Sequence, residues 1–309
     1  MTRDSRRFMK DHYIDTQEAL DQWCNIQLEE ITLLALDTEF LRVKTYFPKL
    51  CLIQLATDQE AVCIDPLAIK DFTALNALLT APHITKIIHS ASQDLEAIVH
   101  ALGILVTPVF DTQTAAQITL NKKVGISYHD LVLHYCDVNL TRDQTRTQWD
   151  LRPLSSEQLK YAYDDVHYLI PTYHKLVAEI AANGQQDTLK NHFIPLTERA
   201  RYEPNPEMAW KKVKGSQRLR GSKKQLLKSL AKMRELVAIQ QDIPKRWVIK
   251  DDILIHLAES YSQKNHKLYT DYAVTSYPEV TQNQVIRTIE NFWKQQPALL
   301  DDDEGDEEE

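Results

Sequence analysis

Short apolar runs alternate with helical patterns over the first part of the chain. Five runs predict strands: 32–36, 50–56, 61–64, 86–88 and 109–110. The first three are separated by stretches too short for a helical crossover, so we expect them to pair as antiparallel hairpins. The later runs are each reached through a helical pattern, at 72–79 or 92–102, and should add in parallel. The pattern predicts an α/β domain with a mixed sheet flanked by helices.

Only helical patterns follow the last apolar run. They cover 127–135, 156–182, 223–241, 251–260 and 281–295. Ser155 with Gln158 predicts a capping box at the start of the long helix, and Asn183-Gly184 predicts its end. We therefore predict an α/β domain at 1–200, a proline-containing linker at 201–206, a small all-α domain at 207–296, and a disordered acidic tail at 297–309.

Composition agrees with two domains, since 309 residues with 43% hydrophobic content can bury sizeable cores. The apolar runs are far shorter than the roughly 20 residues that span a bilayer, so no membrane association is expected. The charged N-terminus lacks a signal-peptide pattern, which favours a cytoplasmic location. The four cysteines are scattered without zinc-ligand spacing, and buried reduced thiols are the expected state.

The formal charge of −8 is unevenly distributed along the chain. Eight of the 44 acidic residues lie in 301–309, which leaves 36 acidic against 36 basic residues elsewhere. Residues 207–250 hold 13 Lys or Arg against 3 acidic residues. This excess indicates either a solvated basic face or a surface for a polyanion. The second interpretation assigns salt-sensitive, sequence-independent nucleic-acid binding to Lys212, Lys214, Arg218 and Arg220.

Candidate chemistry is concentrated in acidic residues at the ends of elements. Asp37 and Glu39 are two apart at the carboxyl end of the first strand and therefore point to the same side. Tyr161 and Asp165 are four apart and share a helix face. Asp94 lies in the first turn of the helix after 86–88. Together these carboxylates suit a cation site of oxygen ligands. Taken singly, each has another interpretation: exposed strand-end carboxylates, compensation of a helix dipole, or a surface helix residue.

The order of these residues resembles the ribonuclease D family. The strings that carry the resemblance lie at 36–42 (LDTEFLR), 46–55 (YFPKLCLIQL), 89–96 (HSASQDLE), 110–113 (FDTQ), 146–154 (RTQWDLRPL) and 161–166 (YAYDDV). That family comprises DEDD exonucleases of the ribonuclease H-like fold whose third motif is Tyr-x-x-x-Asp. Residues 204–286 resemble an HRDC domain, through the strings at 205–215 and 244–252. A second HRDC domain, present in better-known bacterial members, has no counterpart here.

The resemblance implies roles for five residues. Asp37, Glu39, Asp94 and Asp165 would bind two divalent cations, Mg²⁺ or Mn²⁺, and Tyr161 would orient the attacking water. The implied activity is trimming of structured RNA precursors, transfer RNA among them, from a single-stranded 3′ end with release of nucleoside 5′-monophosphates. No obligate protein partner is evident. The competing hypotheses are a DNA-directed exonuclease, a helicase-associated module, disfavoured because no Walker A string occurs, and a non-catalytic RNA-binding protein using the HRDC domain.

Four further residues are candidate RNA contacts. His89 ends a strand beside the second motif and could bond the terminal nucleotide, although a buried histidine with internal partners fits equally well. Arg146, Trp149 and Arg152 lie in the irregular segment 141–153. They suit an aromatic stacking platform flanked by phosphate-binding cations, and the alternative is that Trp149 anchors the loop to the core.

Overall fold

The computed structural model describes residues 10–121, 124–141, 147–260 and 278–295. The chain forms two compact units: unit 1 comprises residues 1–41 and 48–203, and unit 2 comprises 42–47 and 204–309. Two of the predictions, an RNA contact at Arg146 and a disordered tail at 297–309, fall outside the described residues.

A six-stranded mixed sheet forms the centre of unit 1, in the order β1-β4-β3-β2-β5-β6. The antiparallel pairs are β2 with β3 and β3 with β4, and the other neighbours are parallel, which confirms the predicted arrangement. Strand β1 was not predicted, because only Ile14 of its five residues is buried at this sheet edge. The strands are β1 (Lys10–Ile14), β2 (Leu33–Leu41), β3 (Lys49–Ala56), β4 (Glu60–Ile64), β5 (Thr85–Ile88) and β6 (Val109–Asp111).

Apolar clusters cover both faces of this sheet. Leu34 and Leu36 of β2 belong to one cluster and Ala35 to the other, because successive side chains of a strand point to opposite faces. Helices close both clusters: α1 (Gln17–Glu30), α2 (Thr73–Thr80), α3 (Ser92–Leu102), α4 (Thr112–Thr119), α5 (Tyr128–Cys136), α6 (Ser156–His167), α7 (Leu169–Ala182) and α8 (Gln186–Phe193). The carboxyl end of β2 is thereby positioned beside α6.

The single long helix predicted over 156–182 is wrong. The structure divides it into α6 and α7, with Tyr168 between them. Pro171 explains the break, because proline has no N–H to donate and its ring crowds the carbonyl four residues earlier. The start and the end agree with expectation: Ser155 and Gln158 form the capping box, and Asn183 caps α7 before Gly184, whose φ is 65°.

The described part of unit 2 is helical, as predicted. Its helices are α9 (Gly221–Gln241), α10 (Lys245–Val248), α11 (Asp251–Ser260) and α12 (Glu279–Gln295). The segment 42–47 belongs to this unit: the Tyr46 hydroxyl donates to Glu235 at 2.5 Å, and Asp242 accepts from the Tyr46 and Phe47 amides. None of the helices in the described ranges is long and apolar enough to cross a membrane.

Lys86 is a charged residue within the core of unit 1. Its side chain on β5 is fully buried, and Nζ donates to the carbonyls of Ala81, Ile84 and Thr107 at 3.0, 2.6 and 2.7 Å. Burial lowers the pKa of Lys86 to about 7, whereas three carbonyl acceptors match the three donors of the ammonium form. The side chain therefore joins the turn before β5 to the one before β6.

We expect Lys86→Met to destabilise unit 1 by about 2 kcal/mol or more, because buried carbonyls lose their donor. Urea unfolding of the purified protein measures the loss. The exposed Lys70, replaced by Met, is the matched control and should change stability little. Equal stability of the two variants would contradict a structural role for the buried ammonium.

Candidate active site

Three carboxylates from two elements meet beside the sheet. Asp37 and Glu39 lie on β2, and Asp165 comes from α6. One oxygen of each lies within 4.8 Å of the others. The β2–β3 register shifts between Glu39 and Phe40, directly after the second carboxylate. The structure thus brings together the two sequence strings that had predicted a cation site.

Asp94 contributes a fourth carboxylate next to this group. It lies in the first turn of α3, is 7% exposed, and accepts a hydrogen bond of 2.6 Å from the Thr38 hydroxyl. The turn into α3 is held by Asp111, which accepts from the amides of Ser90 and Ala91 at 3.1 and 3.2 Å. Because Thr38 stands between Asp37 and Glu39, its hydroxyl joins the second motif to the first.

Burial and mutual repulsion govern the ionisation of these four groups. Burial, followed by repulsion from neighbouring carboxylates, raises the pKa of Asp37 well above its usual range and that of Glu39 to about 9. Burial also raises the pKa of Asp165, which a hydrogen bond from Tyr161 opposes, and raises that of Asp94 against the Thr38 hydrogen bond. Ionising all four groups therefore requires positive charge from elsewhere.

Three of the carboxylates, those of Asp37, Glu39 and Asp165, line a cavity of about 240 Å³. Tyr161 lies on its wall, one helical turn before Asp165, to which it donates a hydrogen bond. Tyr128 was missed by sequence reasoning, since a lone tyrosine in a helix carries no recognisable signal. The cavity is lined by Asp37, Thr38, Glu39, His89, Tyr128, Tyr161 and Asp165.

His89 reaches this cavity but uses both ring nitrogens internally. Nε2 lies 3.1 Å from the Ile126 carbonyl and Nδ1 lies 2.9 Å from the Thr112 hydroxyl. Because a carbonyl only accepts, we assign the proton to Nε2. Nδ1 is then an acceptor for the Thr112 hydroxyl, for whose single hydrogen the Ile88 carbonyl at 3.2 Å competes. Burial lowers the pKa of His89, which favours this neutral form. These contacts favour the alternative interpretation of His89, a buried histidine that shapes the cavity wall.

Trp149 and Arg152 do not form the expected stacking platform. Trp149 is 1% exposed and belongs to the core cluster that contains Ala162 of α6, so it anchors its loop. The Arg152 guanidinium donates five hydrogen bonds, all to Asp65 or to backbone carbonyls, so its donors are occupied within unit 1. The burial of Trp149 and the internal partners of Arg152, neither of which the local sequence reveals, favour an anchoring role over the expected stacking platform.

The basic residues predicted in unit 2 are exposed. Lys212, Lys214, Arg218 and Arg220 all lie at the surface, and Arg218 contacts Glu259 at 3.1 Å. A cavity of about 740 Å³ has a lining of mixed charge with Trp247 among it: the basic Lys214, Arg218, Arg246 and Lys250, and the acidic Asp251, Asp252 and Glu259. Trp247 is 56% exposed. Sequence reasoning missed it, although its position within Lys245-Arg246-Trp247 places an aromatic side chain beside cations, a pattern typical of single-strand binding.

Comparison with known proteins agrees with this geometry. A family model described as 3′-5′ exonuclease matches residues 12–181, and an HRDC domain model matches residues 223–289. Ribonuclease D of Cronobacter turicensis is 35% identical over 245 residues, which cover 79% of this chain and 66% of that protein. The chain thus spans slightly less than two thirds of the length of this curated relative.

Solved structures show the same similarity. The crystal structure of Escherichia coli RNase D, described as an exoribonuclease involved in structured RNA processing, superposes with a TM-score of 0.83 at 31% identity, covering 92% of this chain and 75% of that one. Brucella melitensis NrnC with bound Mg²⁺ matches with a TM-score of 0.55 at 26% identity, covering 66% of this chain and 96% of that one. The chain belongs to the ribonuclease D family of 3′-5′ exonucleases and carries an HRDC domain.

We expect the repulsion among the carboxylates to be measurable in chelator-treated protein. A carboxyl whose pKa is raised on folding destabilises the fold increasingly as pH rises from its unfolded pKa, about 4.3, towards its folded one. At pH 9, Glu39→Gln should therefore raise the melting temperature of unit 1 by about 2 to 4 °C, with a smaller gain at pH 6. Thermal unfolding at both pH values measures this difference.

The exposed Glu29, replaced by Gln, serves as the control for that experiment and should behave as wild type at both pH values. A Glu39→Gln variant no more stable than wild type at pH 9 would show that the clustered charges do not repel in the folded protein.

Proposed function

We propose that this protein is a metal-dependent 3′ to 5′ exoribonuclease that removes terminal nucleotides as nucleoside 5′-monophosphates. The observation that carries the proposal is the arrangement of four carboxylates. Asp37, Glu39 and Asp165 line one cavity with Tyr161, and Asp94 is near enough to Asp37 for the two charges to repel. Family membership supports the same activity. In this reaction the water oxygen bonds to the terminal phosphorus, the bond to the preceding 3′ oxygen breaks, and that oxygen receives a proton.

The donor set fits hard divalent cations. All four candidate ligands are carboxylates, whose oxygens suit Mg²⁺ or Mn²⁺, and four negative charges balance two dications. Asp37, Glu39, Asp94 and Asp165 would hold two such ions. When bound, divalent cations lower the pKa of water and stabilise charge on a leaving oxygen. The raised pKa values of Asp37 and Glu39 support this assignment, because burial and carboxylate repulsion raise them and no cation among the described residues opposes that rise.

Tyr161 suits the orientation of water rather than the removal of its proton. A phenol has a reference pKa of about 10 and is protonated at neutral pH. Its hydroxyl donates to Asp165, and a phenol oxygen that donates one hydrogen bond can also accept one from a water. Tyr161 would therefore fix the position of the attacking oxygen, while Asp165 fixes the rotamer of the hydroxyl.

The substrate class follows from the relatives and from unit 2. The related RNase D acts in structured RNA processing, and we extend this to structured RNA precursors with single-stranded 3′ ends, including those of transfer RNA. In unit 2, the exposed Trp247 lines one cavity with the basic Lys214, Arg218, Arg246 and Lys250, which outnumber the acidic residues of that lining by four to three. Cations beside an accessible aromatic ring can bind a phosphate backbone and stack on a base. This face would add affinity without sequence preference.

Asp37→Asn should abolish nucleotide release while leaving the fold intact, because one ligand of the cation site is lost without a change in side-chain size. Digestion of 3′-labelled and 5′-labelled RNA, with and without chelator, measures polarity and metal dependence together. Asp58→Asn, at an exposed position, is the matched control and should retain activity.

A matched DNA strand in the same assay distinguishes the DNA-directed alternative. Undiminished metal-dependent release by Asp37→Asn would overturn the proposed mechanism, and inactivity of the wild type on every strand would favour a binding function.

Trp247→Ala should weaken binding of single-stranded RNA by about 5-fold or more, because one stacked base is worth about 1 to 3 kcal/mol. The salt dependence should stay unchanged, whereas Lys214→Ala should reduce the salt slope by about one. Fluorescence anisotropy over a salt series measures both effects. The control is Leu236→Ala, which removes an exposed apolar side chain on α9. Equal RNA affinity of the Trp247→Ala and Leu236→Ala variants would exclude stacking on Trp247.

A further inference from the structure

Arg152 connects the loop before α6 to the sheet through an unusually complete set of bonds. Nε and Nη2 donate to the two oxygens of Asp65 at 2.6 and 2.7 Å, in the bidentate geometry that only a guanidinium provides. Nη2 also donates to the Cys51 carbonyl at 2.7 Å. Nη1 donates to the carbonyls of Trp149 and Leu151 at 2.7 and 2.8 Å. All five N–H groups of the side chain are used.

The carboxylate that receives Arg152 is itself firmly placed. Asp65 directly follows β4 and is 4% exposed. It also accepts from the Tyr13 hydroxyl at 2.8 Å and from the Leu67 amide at 2.9 Å, and its own amide donates to Ile14 at 2.8 Å. Burial raises the pKa of Asp65, but the hydrogen bonds from Arg152 and Tyr13 outweigh it and leave the pKa below its usual value. Asp65 is thus an ionised anchor at the end of two paired strands.

Arg152 also bonds the tryptophan whose ring lies beside Tyr161. Trp149, whose carbonyl Arg152 binds, is buried with its ring centroid 6.1 Å from that of Tyr161, at an interplanar angle of 41°. Cys51 lies on β3 next to Leu52, the residue opposite Glu39 in the β2–β3 register. The guanidinium therefore ties the tryptophan that supports Tyr161 to the strand beside Glu39.

We infer that Arg152 is a positioning residue for hydrolysis, which holds Trp149 against the Tyr161 ring and so sets the direction of the Tyr161 hydroxyl. Arg152 touches neither the cavity nor any of the four carboxylates in the contacts described above; its influence passes through Trp149. The inference rests on the proposed function, in which Tyr161 orients water. Positioning of this kind matters because a shift of about 1 Å in a reacting group can reduce turnover about 100-fold.

Lysine cannot form the set of five hydrogen bonds that Arg152 makes. An ammonium has three donors around a point and lacks the planar fork that spans both oxygens of Asp65 while reaching three carbonyls. Arg152→Lys keeps the charge and most of the length, so it loosens the loop without leaving a buried carboxylate unpaired. It is therefore the variant that separates positioning from electrostatic support.

The test is a double-mutant cycle with Tyr161→Phe on the full-length protein. Arg152→Lys should lower kcat for release from single-stranded RNA by about 10- to 100-fold with KM nearly unchanged, because only the reacting geometry is disturbed. In the Tyr161→Phe background the same change should lower kcat less than about 2-fold, since the group that it positions is already missing. A merely structural role would give equal fold-changes in both backgrounds.

Lys49→Ala provides the matched control. Lys49 pairs with Asp150 of the same loop at 3.1 Å, but this ion pair lies at the surface and should contribute little. Wild-type kcat is expected for this variant. Circular dichroism and melting temperature establish that each variant is folded; if Arg152→Lys does not fold, Asp65→Asn replaces it, with the same non-additivity expected.

Two outcomes would overturn the role of Arg152 alone: wild-type kcat in a folded Arg152→Lys protein, or equal losses in the two Tyr161 backgrounds. A wild-type enzyme that releases no nucleotide with Mg²⁺ or Mn²⁺ would instead overturn the proposed function and this role with it.

Discussion

Repulsion between buried carboxylates is the unfavourable interaction that the rest of unit 1 has to offset. Asp37, Glu39 and Asp165 line one cavity and Asp94 lies next to them, and burial together with repulsion among carboxylates raises the pKa values of all four. No single local preference favours such a cluster. It persists because the β2 strand, the start of α3 and the α6 helix are each fixed by contacts elsewhere, and the apolar clusters on both sheet faces supply the stabilisation.

Different structural features hold the carboxylates in place. Asp37 and Glu39 depend on the alternation of β2, which points both to the same side. Asp94 depends on Asp111, whose carboxylate bonds the turn into α3, and on the Thr38 hydroxyl. Because these supports lie in separate elements, the geometry of the site is a property of the whole unit rather than of one motif.

In the proposed function, each unit would contribute a different part of RNA binding. In unit 1 the cavity is small and lined by acidic and aromatic groups, which suits a chain terminus and its counterions. In unit 2 the described surface offers exposed cations around Trp247 and a wider cavity, which suits a flexible polyanion. In the proposed function, the basic residues of unit 2 would supply the attraction for a polyanion that the acidic site of unit 1 lacks.

From the sequence alone, five of the six strands, their antiparallel or parallel pairing, and the carboxylates on β2 and α6 could be predicted. These depend on local periodicity: two residues apart on β2, four apart on α6, and hydrophobic runs separated by characteristic distances. Tertiary structure decided what periodicity does not encode. Trp149 and Arg152 had the composition of an RNA-binding loop, yet Asp65, distant in sequence, accepts the guanidinium, and the sheet buries the indole. His89 likewise contacts Thr112 at the start of α4 and Ile126 in the segment before α5. Hydrogen-bond partners that are distant along the chain come into contact only in the folded domain. Whether a side chain is free to bind a ligand or anchors the structure therefore depends on tertiary contacts.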